Sequence, residues 1–154
     1  MTKPDNKLLA RDRRNARIRA MQALYQQDMA GGDCGEIIAQ FHETQEFDRV
    51  DAEYFETLFR GVLTQIDALD AAIVPFLDRK LDDLDAVERS ILRLAGYELK
   101  ARLDIPYRIV INEAVELAKK FGAEQGHKYV NGVVDNLARQ FRATELQAQA
   151  QSSQ

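Results

Sequence analysis

Five arginines, Arg11, Arg13, Arg14, Arg17 and Arg19, stand within nine residues near the N-terminus, and a second basic group, His127-Lys128-Tyr129, lies far downstream. Guanidinium is planar, permanently charged and able to hold two oxygens at once, so a row of arginines on a helix suits phosphate. Tyr25 continues the stripe that carries Arg17, two turns on, and Tyr129 adjoins Lys128. An aromatic ring beside cations can stack an unpaired base while the cations hold the backbone. The pattern predicts single-stranded RNA rather than duplex DNA, because no recognition-helix arrangement for the major groove is evident. Each residue also has a plainer reading: a solvated helix end for the arginines, and core packing with a surface hydroxyl for the tyrosines.

Nothing comparable points to catalysis. His42 and His127 are far apart and have no metal-ligand spacing around them. Phosphate-cradling glycine loops and dinucleotide fingerprints are missing from the sequence. Cys34 sits in a glycine-flanked loop with no activating neighbour. Glu113 and Glu116 could pair as acid and base, but residues at that spacing are more often a solvated edge. A non-enzymatic binding role is expected, without cofactor or metal.

The elements that must position these residues are helices. From about Leu8 to Met29 a helix is predicted, with Met21, Leu24 and Tyr25 on its apolar stripe and Ile18 at the flank. Extended backwards, that stripe reaches Arg17 and Arg14. Burying unpaired guanidinium groups is costly, so the first turns are expected to project beyond the core. Cations there also oppose the helix dipole, which bound phosphate would offset. Gly31-Gly32 ends the helix, a second covers about 35–46, and a third runs from Asp51, as N-cap, to about Val74. Residues 76–83 form an acidic connector. Asp85 caps a central helix ending near Arg102, with Glu88 at capping-box spacing. Pro106 and Gly122 bracket the next helix, and a short polar loop containing Gln125 and Gly126 leads into another that ends at Phe141. The fold class is all-α, with six to seven helices in two small bundles sharing a core. Residues 1–10 are expected to be a flexible basic leader, 11–142 one helical domain, and 143–154 a disordered Gln/Ser-rich tail.

Length and charge agree. A chain of 154 residues is large enough to bury a core without disulfides. The lone Cys34 fits a reducing cytoplasm, and neither a secretory signal nor a membrane span is evident. Residues 1–30 hold seven Lys/Arg against three Asp/Glu (+4), residues 31–104 eight against seventeen (−9), and residues 105–154 six against five (+1). A basic face and an acidic face with different partners are expected.

The phrases RRNARIRAMQALYQQD, YFETLFRGV, LDAVERSILRLAGYEL, IPYRIVINEAVELAKKFG and GHKYVNGVVDNLAR together resemble the NusB family of bacterial transcription antitermination factors, over about residues 11–142. The resemblance implies an all-helical protein that binds boxA-type leader RNA, chiefly of ribosomal RNA operons. It also implies a heterodimer with the ribosomal protein NusE, inside an RNA polymerase antitermination complex with NusA and NusG. By position, Arg13, Arg14, Arg17 and Tyr25 match the family's RNA-binding start, and Lys128 and Tyr129 its HK-aromatic-VNG loop. Glu88 matches the phrase facing the ribosomal protein, and Asp82, Asp83 and Asp85 would add to the same acidic field. Asn15 departs from the family's arginine run, and Gln125-Gly126 from its usual acidic or small polar pair. Two rivals remain: a module that binds proteins only, and the related helical domain attached to some ribosomal RNA methyltransferases.

Overall fold

The computed structural model describes residues 6–152, which form eight α-helices and two single 3₁₀ turns. They are α1 (Asn6–Ala30), α2 (Cys34–Thr44), α3 (Ala52–Thr64), α4 (Ile66–Ile73), α5 (Ala86–Ala101), α6 (Tyr107–Phe121), α7 (Gly126–Phe141) and α8 (Ala143–Ser152). The all-α expectation holds, with more helices than the six to seven predicted. The chain divides into two compact units at Thr64/Gln65.

In the first unit α1 packs chiefly on α3. Ala16, Ala20 and Ala23 are wholly buried, and their small side chains let α1 lie close against Tyr54, Phe55, Leu58 and Phe59. Phe55 is the hub: it stacks with Phe41 at 5.8 Å and meets the edge of Phe47 at 5.4 Å. Asp51 caps α3 by accepting from the Tyr54 N–H (3.0 Å), and its own N–H donates to the Asp12 carbonyl on α1 (3.1 Å). Asn15, where the sequence departs from an arginine run, donates through Nδ2 to the Arg49 carbonyl at 2.8 Å. It anchors the loop before α3.

The single helix expected between Asp51 and Val74 is two. Gln65 leaves helical geometry (φ −110°, ψ 18°), although the apolar period continues through it. The Thr64 hydroxyl donates back to the Arg60 carbonyl (2.8 Å), a side-chain bond that competes with the backbone ladder and bends helices.

In the second unit α5 is central, as its apolar composition requires. Residues 90–99 are all buried, and the helix packs against α4, α6 and α7. Arg93 is 9% exposed, but its guanidinium makes a paired contact with Asp70 (2.8 and 2.9 Å), so the charge is compensated. The α6–α7 hairpin forms through Val110, Ala114, Leu117, Val130, Val133, Val134 and Leu137, all buried. Gly122 closes α6 because a Cβ there would stand 2.7 Å from the Ala118 carbonyl oxygen.

Both expected tails need correction. Residues 6–10 belong to α1, so the leader, as far as it is described, is helical; residues 1–5 lie outside the described residues. Residues 143–152 form α8 rather than a disordered tail, and the reason is polar anchoring. Glu145 accepts from the Tyr107 N–H (3.2 Å), Gln149 bonds the Tyr107 hydroxyl (3.0 Å), and Arg142 pairs with Glu145 (2.7 Å). No described helix is long and apolar enough to cross a membrane.

Candidate nucleic-acid interface

On α1 the arginines divide. Arg14 is exposed, and Tyr25 is 40% exposed. The two are eleven residues apart, which brings them within roughly 20° of each other on a helix turning about 100° per residue. A cation and an accessible ring therefore share one outward stripe. Arg17 does not project into solvent as expected: it is 4% exposed. Its guanidinium lies 5.5 Å from the centroid of the Tyr54 ring, with that of Arg13 at 5.0 Å. The aromatic face offsets part of the desolvation that makes a buried cation costly. The Arg13 Nε–H is buried without an acceptor, 4.0 Å from Asp51 Oδ2. Arg11 pairs with Asp12 (3.0 Å), and Arg19 reaches the Glu46 carbonyl (3.4 Å). The dipole argument also changes. The helix begins by Asn6, so these arginines lie beyond the first turn, where the macrodipole acts.

The second basic group sits at the start of α7. Gln125 precedes the helix in the left-handed conformation (φ 66°) and supplies no capping side chain. Lys128 is exposed, and Tyr129 is half-buried. Tyr129 is not a bare stacking platform. The Arg79 guanidinium lies 4.9 Å from its ring centroid, and its hydroxyl accepts the Asp78 N–H (3.2 Å). Arg79 in turn grips the Asp78 carboxylate (2.7 and 3.2 Å). Arg79 and the Tyr129 hydroxyl hold that carboxyl down at about 2. Burial pushes the Tyr129 hydroxyl above its usual range. Arg79 is the residue that sequence reasoning missed. It lies in a connector whose composition reads as acidic, and its partner Tyr129 is 50 positions away.

The acidic group resolves into two parts. Asp82, Asp83 and Asp85 are exposed, and Asp85 Oδ1 caps α5 by accepting from the Val87 and Glu88 N–H groups (2.9 and 3.2 Å). Glu88, assigned to an outward partner face, is 6% exposed. It turns inward beneath Gly126, where an added Cβ would collide with its carboxylate, and its carboxylate takes a hydrogen bond from the Ala123 backbone. Burial first, and then the neighbouring Asp85, raise its pKa. Asp85 caps alone, and Glu88 instead braces the loop before α7.

Comparison with known proteins bears directly on this arrangement. The NusB family model matches residues 14–139, a span holding the arginines from Arg14 onward, the acidic connector and the α7 loop. The chain belongs to the NusB family. A transcription antitermination protein NusB from Alcanivorax borkumensis is 55% identical over 133 residues, covering 86% of this chain and 89% of the relative. Among solved structures, NusB of T. maritima is similar with a TM-score of 0.74 and 32% identity, covering 90% of this chain and 93% of that one. A complex of the antitermination factors NusB and NusE with double-stranded RNA contains a chain 31% identical with a TM-score of 0.71. That match covers 84% of this chain and 97% of the other.

Proposed function

We propose that this protein is a cytoplasmic, non-enzymatic transcription antitermination factor that binds boxA-type leader RNA, notably of ribosomal RNA operons, together with the ribosomal protein NusE. RNA contacts are assigned to two surfaces, each considered by itself. One is the outward stripe of α1 with Arg14 and Tyr25, flanked by Arg13. The other is the α7 tip with Lys128 and the Arg79–Tyr129 pair. Arg17 acts from beneath, by holding Tyr54 and the helix surface in place. NusE docks on the exposed carboxylates Asp82, Asp83 and Asp85, with Glu88 fixing the adjoining loop. NusA, NusG and RNA polymerase complete the assembly.

The observation that carries the reading is an exposed guanidinium and an exposed aromatic on one stripe of α1, about 16 Å apart along the helix axis. A strand laid along that stripe can set a phosphate on the first and an unpaired base on the second. Relatives named as antitermination proteins, and a solved NusB–NusE complex with RNA, support it. The RNA in that complex is double-stranded. Strandedness is therefore part of the test, and the stacking geometry favours single strands.

The test is an anisotropy titration of boxA, scrambled and duplexed RNA at several salt concentrations. If three or four phosphates are neutralised, log affinity should fall against log salt with a slope of roughly −2 to −3 for a single strand. Arg14→Ala should weaken binding and flatten the slope by about 0.7 while leaving helicity unchanged. Equal affinity in variant and wild type rejects the α1 surface. Asp82→Lys with Asp83→Lys should impair NusE docking without altering binding of RNA alone.

A further inference from the structure

The proposed RNA surface ends at Lys128, but the structure continues from it into a cleft of about 370 Å³ between α6 and α7. Its walls are Asn112, Glu116 and Lys119 from α6, and His127, Lys128 and Asn131 from α7. On α6 these follow the spacing i, i+4, i+7, one helical face aimed at the same opening on α7. Val115 supplies an apolar patch between them. The volume falls near the lower end of the ~300–1,000 Å³ range of small-molecule sites, room for one nucleotide unit and not for a helical segment.

The lining is chemically mixed in an informative way. A site for a bare phosphate would gather donors, yet this cleft holds two carboxamides and a carboxylate among its cations. Lys119 Nζ and Glu116 Oε1 stand 3.6 Å apart, so a donor and an acceptor are presented side by side. Each Asn offers a further donor and acceptor. Matched donor–acceptor edges belong to nucleobases. An acceptor-only carboxylate favours a base with an exocyclic amino group and disfavours uracil, whose pairing edge lacks one. The imidazole of His127 has a face on which a base can stack.

We propose that this cleft is a base-reading pocket, taking one unpaired amino-bearing nucleotide (adenosine, cytidine or guanosine) rather than uridine from the RNA bound by the protein. Asn112, Asn131 and Glu116 read the base edge, His127 and Val115 pack against its face, and Lys119 and Lys128 hold the adjoining phosphate. The inference rests on the RNA-binding reading above and adds a position of sequence discrimination to it.

The experiment titrates the full-length protein with a single-stranded boxA-type RNA and with versions of it in which each A, C or G is replaced in turn by U. Wild type should lose about tenfold in affinity at one replaced position. Asn112→Ala with Asn131→Ala should weaken the parent RNA by a similar factor and abolish that one preference, with an unchanged salt slope. Lys119→Ala should instead flatten the slope by about 0.7. Asn112, Lys119 and Asn131 are exposed, so the fold should tolerate these changes, and far-UV circular dichroism checks it. If the asparagine variant binds every RNA as wild type does while Arg14→Ala weakens them all, the pocket is rejected and the wider reading survives. If the variant weakens all sequences equally and erases no preference, base reading is likewise rejected. If wild type binds no RNA, both fall together.

Discussion

Replacing Arg142 should unfold much of the second unit at temperatures the wild type withstands. The side chain is 2% exposed, and its donors are fully employed. Nε–H donates to the Leu99 carbonyl (2.7 Å), Nη1 to the Ile105 carbonyl (2.8 Å) and Glu145 (2.7 Å), and Nη2 to the carbonyls of Arg102 (2.8 Å) and Glu98 (3.2 Å). These carbonyls belong to the end of α5 and the turn after it. Those of Glu98 and Arg102 also accept the Arg102 and Ile105 N–H groups (3.0 Å each), while Leu99 lies in the last turn of α5, where carbonyls have no intrahelical donor. One guanidinium thus serves as the C-terminal cap of the central helix. Because Glu145 also accepts from the Tyr107 N–H, it ties α6 and α8 to the same point.

Each hydrogen bond from a charged donor contributes about 1.5–3 kcal/mol, but bonds made by one group are not additive. Losing one partner of a buried ionic pair costs about 3–5 kcal/mol, and that range is the estimate for Arg142→Ala. With a urea m-value of about 1–3 kcal/mol/M, the midpoint should fall by roughly 2 M. Arg142→Lys keeps the charge, but a point ammonium cannot reach carbonyls on both sides of the fork. A loss of about 2–3 kcal/mol is expected for it. Urea titrations followed by far-UV circular dichroism measure both. A loss below about 1 kcal/mol for the alanine variant would refute the cap, since solvent or a neighbouring group would then be serving those carbonyls.

Two further predictions concern the loop before α7. Glu88 holds its proton more tightly in the folded state than its ordinary value of 4.5, so its contribution is most favourable below 4.5 and is lost as pH rises through the folded pKa. Glu88→Gln, which keeps an acceptor for Ala123 without the charge, should therefore match or exceed wild-type stability at neutral pH. The advantage should vanish below about pH 4, as thermal melts across pH 3–8 can show; an advantage that grows towards acid would contradict the assignment. Gln125 occupies left-handed backbone at a cost of about 1 kcal/mol for a residue with a long side chain, and Asn visits that region more readily. Gln125→Asn should raise stability by about 0.5–1 kcal/mol in urea titration, and an equal loss would show that the Gln side chain has a packing role.

Much of the frame was legible because apolar spacing reports which face of a helix is buried. The central place of α5, the α6–α7 hairpin and the caps at Asp51 and Asp85 all follow from such local signals. The break at Gln65 was not legible, since Leu69 and Ile73 keep the apolar period across it while only backbone geometry changes. The helix α8 escaped for a different reason. Its anchors Glu145 and Gln149 are polar and answer to Tyr107, 38 and 42 positions away, which no window of local hydrophobicity detects. The site shows the same division. The exposure of Arg14 and Lys128 follows from their charge, whereas Tyr25, placed on the apolar stripe by its spacing, is 40% exposed. The inward turn of Glu88 and the Arg79–Tyr129 contact required knowing which distant backbone passes beside them.

Arginine content alone overstates the charge available to RNA, because this fold uses guanidinium in two opposite ways. Arg17, Arg93 and Arg142 are buried, supported respectively by the Tyr54 ring, the Asp70 carboxylate and a set of carbonyls. The cost of burying a charge, which placed Arg17 outside when only sequence was considered, is the cost of burying it without such support. Removing Arg17 and removing Arg14 should therefore differ in kind. Loss of Arg17 should lower stability through Tyr54 and weaken RNA only as a consequence. Loss of Arg14 should change affinity and its salt dependence at constant stability. A salt slope near −2 rather than −3 would fit this smaller set of outward cations.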